Sequence, residues 1–137
     1  MLLNKQIEMI KLNSKSDKRL IVEGKVDDKT AYFLIDTGAS VGLIDYDQRK
    51  KYDLQKGKSY AGTIVGAGGK MNNVYHCNTF VNVEDRTIPQ FLLADISDVV
   101  NSIERQTGIK ILGIISLPQM KMCNISIDCN DNEIILE

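Results

Sequence analysis

The residues best placed to do chemistry are Asp36, Thr37, Gly38, Ala39 and Ser40, which follow the apolar run Tyr32-Phe33-Leu34-Ile35 without a break. Four apolar residues in a row read as the end of a strand buried on both faces. A carboxylate at the mouth of such a strand is costly to desolvate unless something compensates it. Gly38 permits a sharp turn just after it. Thr37, Ser40 and the loop's own N–H groups can supply hydrogen bonds. Such a site suits acid/base work better than stability, and Asp36 is the candidate catalytic group.

The segments that must hold this loop read as short strands. Leu20 to Val26, a turn at Asp27-Asp28-Lys29, and a return over Thr30 to Ile35 make a β-hairpin whose second arm ends at Asp36. Val41 to Ile44 continues as a strand, and Asp45 can cap one or two helical turns through Tyr52. Lys58 to Val65, then Gly66-Ala67-Gly68-Gly69, then Met71 to Phe80 read as a second hairpin with a mobile tip. No helix opens after those glycines, so they are no dinucleotide signal. Phe80 to Val83 and Ile88 to Ala94 pair around a polar turn.

Ser97 is placed to cap a helix whose Ile96, Val99, Val100 and Ile103 share a face, and Gly108 to stop it. Ile109 to Ile115 reads as a second buried strand, with Gly113 inside it. Ser116 then starts a short helix that tolerates Pro118 in its first turn. Ile125, Ile127 and Cys129 alternate inward, Asn130-Asp131-Asn132 turns, and Glu133 to Leu136 closes a last hairpin. At the other end, Ile7 to Leu12 forms a first strand before a polar turn at Asn13 to Lys18. The sum is a mainly β fold, a closed β-barrel or folded-over sheet with two or three short helices. A doubly wound α/β fold, with Asp36 as a phosphoryl-accepting carboxylate, needs long alternating helices where this chain offers hairpin turns.

A chain of 137 residues reads as one domain, 1–137, with 1–18 as a candidate N-terminal extension. Its 43% apolar and 26% charged residues are those of an ordinary globular protein. A net charge of −1 provides no broad cationic field for nucleic acid or an anionic membrane. The basic run Arg49-Lys50-Lys51 reads as a solvated helix face. No run approaches membrane-spanning length and Met1 to Gln6 lacks the apolar core of a signal peptide, which favours the cytoplasm. Cys77, Cys123 and Cys129 are odd in number and lack metal-type spacing, so buried free thiols are expected. His76 is the only histidine, which excludes a multi-histidine metal site. Inside a strand beside Cys77 it reads as a partly exposed sheet residue.

From about Arg19 to the C-terminus, the order of these features resembles the retropepsin-like family of aspartic proteases. Their catalytic loop is a hydrophobic pair followed by Asp-Thr-Gly-Ala/Ser-Ser/Thr. The resemblance implies that Asp36 is the catalytic carboxylate and that Thr37 bonds across a dimer axis. It implies that Gly38 brings its N–H to the carboxylate, and that Ser40, after Ala39, helps hold the outer oxygen. Lys58 to Phe80 would be a flap over bound polypeptide, with Val65, Gly66, Ala67, Gly68 and Gly69 at its tip. Ile111-Leu112-Gly113 matches the family's second signature, a strand beneath the catalytic loop. No metal or organic cofactor is implied. Ile115 and Ser116 depart from the Asp-Phe or Arg-Asn that often follow that glycine. The N-terminal segment and the Ile96–Gln106 helix make the chain longer than retroviral proteases, so the analogy does not place its terminal strands.

Peptide hydrolysis without a metal or covalent intermediate needs a base to activate water and an acid to protonate the scissile group. Two carboxylates about 3 Å apart can share one proton and serve as both. This chain carries one Asp-Thr-Gly. A two-fold axis bringing Asp36 of two copies together is the expected source of the pair. The implied partners are a second copy and a polypeptide substrate, with no nucleic acid and no membrane. A catalytically inactive dimerisation or peptide-binding module of the same fold stays open, although a binder has no chemical need for an intact Asp-Thr-Gly-Ala-Ser. Either way, Asp36 and Gly113 should lie on adjoining loop and strand of a mainly β fold.

Overall fold

Residues 9–66 and 69–137 are described by the structure, a computed structural model. Strands β2 (Ile21–Val26) and β3 (Lys29–Asp36) form the hairpin that leads to Asp36, in register from Ile21 opposite Leu34 to Val26 opposite Lys29. Asp27 takes the turn at φ 54°, a conformation that short polar side chains tolerate. The end of β3 is apolar on successive residues because both of its faces are covered. Ala31, Phe33 and Ile35 enter one core cluster, where the rings of Phe33 and Phe91 lie 5.9 Å apart. Leu34 enters a second cluster on the opposite face. Strands β4 (Gly42–Asp45), β11 (Phe91–Ala94) and β12 (Gly113–Ser116) are wholly buried and divide in the same way. Ile44, Leu93 and Ile115 join the first cluster; Leu43, Leu92 and Ile114 join the second.

The chain leaves β3 through the Asp36 loop, enters β4, and returns much later as β12 to fill the gap between them. β12 runs parallel to β3 and antiparallel to β4. The gap has no room for a side chain at one position. A Cβ on Gly113 would lie 2.3 Å from the carbonyl oxygen of Leu43, so glycine is what lets the strands close up. β4 pairs in parallel with β11, which carries β8 (Tyr75–Cys77) and then β5 (Lys56–Ser59) antiparallel. On the other flank, β2 pairs with β9 (Val81–Val83), and β9 with β10 (Arg86–Ile88).

This sheet is open. Its order is β10-β9-β2-β3-β12-β4-β11-β8-β5, and the end strands β10 and β5 do not pair with each other. The closed barrel is therefore corrected to the folded-over alternative. Closure is not needed to bury the first cluster, because a separate antiparallel sheet packs there. It is made by β1 (Ile10–Asn13), β14 (Glu133–Leu136) and β13 (Ile125–Asp128) in the order β1-β14-β13, with Ile134 and Leu136 in the core.

The helices cover the remaining ground. α1 (Ser97–Thr107) buries Ile96, Val100 and Ile103 in the second cluster and ends at Gly108, whose φ is 77°. Its start differs from expectation: Ser97 is inside the first turn, and Asp95 Oδ1 accepts from the Ser97 hydroxyl at 2.7 Å and N–H at 3.0 Å. Those two bonds hold the Asp95 carboxyl below its usual pKa. α2 (Leu117–Met122) starts directly after Ser116. The helical turns expected after Asp45 shrink to one 3₁₀ turn, Tyr46–Gln48, with Asp45 accepting from Asp47 N–H at 3.3 Å.

Two strands inferred as long are broken. Ile88 to Ala94 splits at Pro89-Gln90, where proline has no N–H for a ladder and Gln90 has φ 68°. β9 consequently pairs with β10, not with β11. The arms from Lys58 and to Phe80 reduce to β5, β8 and the short pair β6 (Val65–Gly66) and β7 (Gly69–Lys70), with Asn73 at φ 55° between β7 and β8. Ala67 and Gly68 lie outside the described residues, as do Ile7 and Glu8 of the expected first strand. His76 is exposed in β8. The thiols are not buried: Cys77 and Cys123 are partly covered and Cys129 is exposed, because it falls in the turn beyond β13. Among the described residues no helix is long and apolar enough to cross a membrane.

The close approach at Gly113 makes a direct prediction. Gly113→Ala places a methyl against backbone that cannot move alone, so stability should fall by about 1–3 kcal/mol or more. Urea unfolding reads this as a lower midpoint, and an unchanged midpoint contradicts the packing described.

Candidate active site

Asp36 is the last residue of β3, and its Cα partner across the parallel ladder is Ser116 of β12. Leu34 and Ile35 before it are buried, Asp36 is half-buried, and Thr37 and Gly38 are exposed. The chain thus leaves the core at the carboxylate. Its turn is closed by the loop's own backbone: Gly38 N–H donates to Asp36 Oδ1 at 2.9 Å, and Ala39 N–H to the Asp36 carbonyl at 3.1 Å. A Cβ on Gly38 would sit 3.3 Å from that same Oδ1 and press on it. Ser40 is exposed. Among the described residues, neither Thr37 nor Ser40 bonds to the carboxylate through its side chain.

α2 braces this loop from behind. Leu117 N–H donates to the Ala39 carbonyl at 3.3 Å. Ser116 caps the helix in a reciprocal box with Gln119, whose Oε1 accepts from Ser116 N–H at 2.9 Å and from Ser116 Oγ–H at 3.0 Å. Gln119 Nε2 donates to the Pro89 carbonyl at 2.7 Å. The Gln119 side chain, 2% exposed, occupies space that only glycine leaves at position 42: a Cβ there would lie 2.1 Å from Oε1. The Ser116-to-Gln119 spacing was a readable capping signal, whereas nothing local marks Gly42 as the complement of Gln119.

Ile111 and Leu112 are fully buried beneath the site. Leu112 N–H donates to the Tyr32 carbonyl at 2.7 Å, and Asp45 N–H to the Leu112 carbonyl at 2.9 Å. Gln48, also buried and unanticipated, donates from Nε2 to Asp45 Oδ2 at 3.0 Å and to the Ile111 carbonyl at 2.9 Å. These bonds fix the level of Asp45, which is that of Tyr32. Four residues of strand separate it from Asp36, or about 13 Å.

Two further aspartates stand at or just past the ends of apolar strands, and neither neighbours Asp36. Asp95 follows β11 and meets Asp45 and Asp47 at the far end of β4. Asp128 lies in the other sheet and accepts from the N–H groups of Asn130 and Asp131 in its own turn.

In the glycine hairpin, Val65 pairs with Lys70 and Gly66 with Gly69. Val65 is 73% exposed. At the hairpin's base, Ile64 and Met71 pack on the second core cluster, as do Ala39 and Val41 from the Asp36 loop. The two candidate elements therefore share one apolar support. A further tie lies below: Tyr46 and Tyr75 stack with centroids 5.6 Å apart, Arg49 caps one ring at 3.9 Å and Lys56 the other at 4.2 Å.

The aspartyl protease family model matches residues 22–116, the span that runs from β2 through the Asp36 loop to the end of β12. The chain belongs to that family. Its fold is that of the retropepsins. EIAV protease, solved with an inhibitor, is similar at TM-score 0.58 and 18% identity over 93% of this chain and 99% of its own. A retropepsin-like aspartic protease from Rickettsia conorii gives 0.57 and 17% over 94% and 89%. The retroviral protease-like domain of Ddi1 from Leishmania major gives 0.55 and 16% over 87% and 88%. No curated protein matches the chain.

The fit of Gly42 to Gln119 is testable as a coupling. Gly42→Ala alone should destabilise strongly, because its methyl meets the Gln119 amide. In a Gln119→Ala background the same substitution enters vacated space, so the two effects should fall short of additivity by about 1 kcal/mol or more. Strict additivity in urea unfolding would mean that the two residues do not share that space.

Proposed function

We propose that the protein is a homodimeric aspartic endopeptidase whose catalytic pair is Asp36 from each of two copies. One observation carries this reading. Asp36 is held by Gly38 N–H at the point where β3 leaves the core, and the other strand-end aspartates of its chain are placed and bonded elsewhere. Without a metal, the attack needs an ionised carboxylate to take the proton from water and, at the same moment, a protonated one to polarise the carbonyl, and a second copy of the chain can supply that partner. The exposed Thr37 and Gly38 are available to meet a second loop, with Thr37 bonding across the axis.

In the reaction, one carboxylate takes a proton from water as that water attacks the scissile carbonyl. The protonated partner donates a hydrogen bond to the developing oxyanion, and a proton then passes to the leaving nitrogen. No residue needs a metal for these steps. Substrate would lie extended between the loop and the Val65–Lys70 hairpin, pairing its backbone with strand edges while its side chains fill apolar pockets. The similarity in fold to EIAV protease, which was solved with an inhibitor bound, supports a ligand-binding role for this fold.

Incubation with an unstructured protein, with and without a transition-state-like aspartic protease inhibitor, tests the activity. Inhibitor-sensitive cleavage is the expected outcome, and an intact substrate supports a non-catalytic module instead. Inhibitor should also slow amide exchange at Val65 and Lys70, whereas equal rates would remove the hairpin from the substrate site. The pairing has its own test. Asp36→Asn is nearly isosteric, so its chains should fold and join wild-type partners. Adding an equal amount to freely exchanging wild type leaves about a quarter of a doubled dimer pool fully wild type, so activity should fall to about half. Unchanged activity would mean that the second acid lies within the same chain.

A further inference from the structure

At the end of β3 remote from Asp36, a cleft of about 700 Å³ opens between four segments distant in sequence. β3 contributes Lys29, Thr30 and Tyr32. The turn after the 3₁₀ element contributes Lys51 and Tyr52, the link from α1 to β12 contributes Gly108 to Lys110, and the turn after β1 contributes Lys15. Lys29 and Asp36 stand at opposite ends of the strand, about 23 Å apart at the usual rise per residue. The cleft is thus separate from the proposed catalytic site, and its function does not rest on the protease reading.

Four lysines line this cleft and no acidic residue does, with the Lys29 ammonium donating to the Lys51 carbonyl at 3.2 Å across it. The net charge of the chain is −1, so their convergence does not follow from a basic composition. Lys29 pairs with Asp53 at 2.9 Å and Lys15 approaches Glu23 at 3.7 Å, both in exposed positions where such pairs hold loosely. Lys51 and Lys110 have no carboxylate partner among the described residues. Unpaired like charges gathered in a concavity repel one another, and a bound anion relieves that repulsion. Lys51 Nζ stands 5.5 Å over the ring of the buried Tyr52. Burial pushes the Tyr52 phenol up in pKa while Lys110 and Lys29 pull it down, consistent with both ammonium groups lying close to the ring.

The chemistry of the lining narrows the ligand. Every cation is a lysine. Arginine's planar fork suits bidentate carboxylate recognition, while ammonium groups act as point charges that suit the oxygens of phosphate chains. Tyr32, Ile109 and the edge of Tyr52 form a less polar wall beside them. The volume lies within the ~300–1,000 Å³ usual for small-molecule sites. We propose that this cleft binds a small organic phosphate carrying a di- or triphosphate chain, the lysines holding the chain and the tyrosine-lined wall its organic part.

Calorimetric titration of the intact protein with ATP in the absence of divalent metal, and separately with inorganic tripolyphosphate, tests this. ATP should bind saturably at one site per chain, more tightly than tripolyphosphate, and more weakly as salt is raised. Lys51→Ala with Lys110→Ala should weaken it about tenfold or more. Lys121→Ala, outside the cleft, should leave it unchanged, as should Asp36→Asn. Both lysines are exposed, and unaltered thermal melts would show that the variants remain folded. The proposal is overturned by any of four results: no saturable binding of ATP at millimolar concentration, binding that survives the double substitution, equal affinity for tripolyphosphate, or tighter binding of a polyglutamate peptide than of ATP.

Discussion

Three strands lying side by side with no side chain between them are the constraint on which the rest depends. β12 reaches its place between β3 and β4 only because Gly113 presents no Cβ to the Leu43 carbonyl. Once there, it sets Ser116 beside Asp36 and delivers the first N–H of α2 to the Ala39 carbonyl. The Asp36 loop is therefore supported on its inner side by backbone whose position is fixed from both faces. That is how a short loop with few bonds of its own can keep a half-buried carboxylate in one orientation. The two apolar clusters provide the energy that holds the strands there, and the glycine provides the geometry.

Order falls away from this centre in steps. The central strands are buried on both faces, whereas β6 and β7 are a two-residue pair with Val65 in solvent. Between them stands the shared support of Ile64, Met71, Ala39 and Val41, together with the Tyr46–Tyr75 stack and its two cations. The β6–β7 pair is thus tied to the Asp36 loop at its base and has few buried contacts beyond it.

The elements legible in the sequence were those whose cause is local. Phe33 to Ile35 announce a strand buried on both sides, Gly108 a helix stop, and Ser116 with Pro118 a helix start. What was not legible depends on residues far apart. Whether the sheet closes is decided by β10 and β5 failing to meet, and neither strand carries that fact in its own residues. Gly42 and Gln119 fit against each other although they lie far apart along the chain. The lysine cleft draws single residues from four segments, while the one contiguous basic run, Arg49-Lys50-Lys51, disperses. Arg49 covers Tyr46 and Lys51 turns toward Tyr52. Two departures are local in origin: Pro89-Gln90 interrupts what reads as one apolar run, and Asp95 accepts from Ser97, the residue expected to cap α1, which falls inside the first turn.

The lateness of β12 also has a consequence for how the molecule comes into being. Phe33 and its ladder partner Gly113 are about eighty residues apart in the chain, so closing that pair is a slow, non-local event. During synthesis from the N-terminus, Asp36 leaves the ribosome long before the strand that braces it. Until then its loop has neither Ser116 beside it nor α2 behind it. The nascent chain thus carries an unassembled carboxylate loop, and any hydrolytic capacity is withheld until nearly the whole domain has been made.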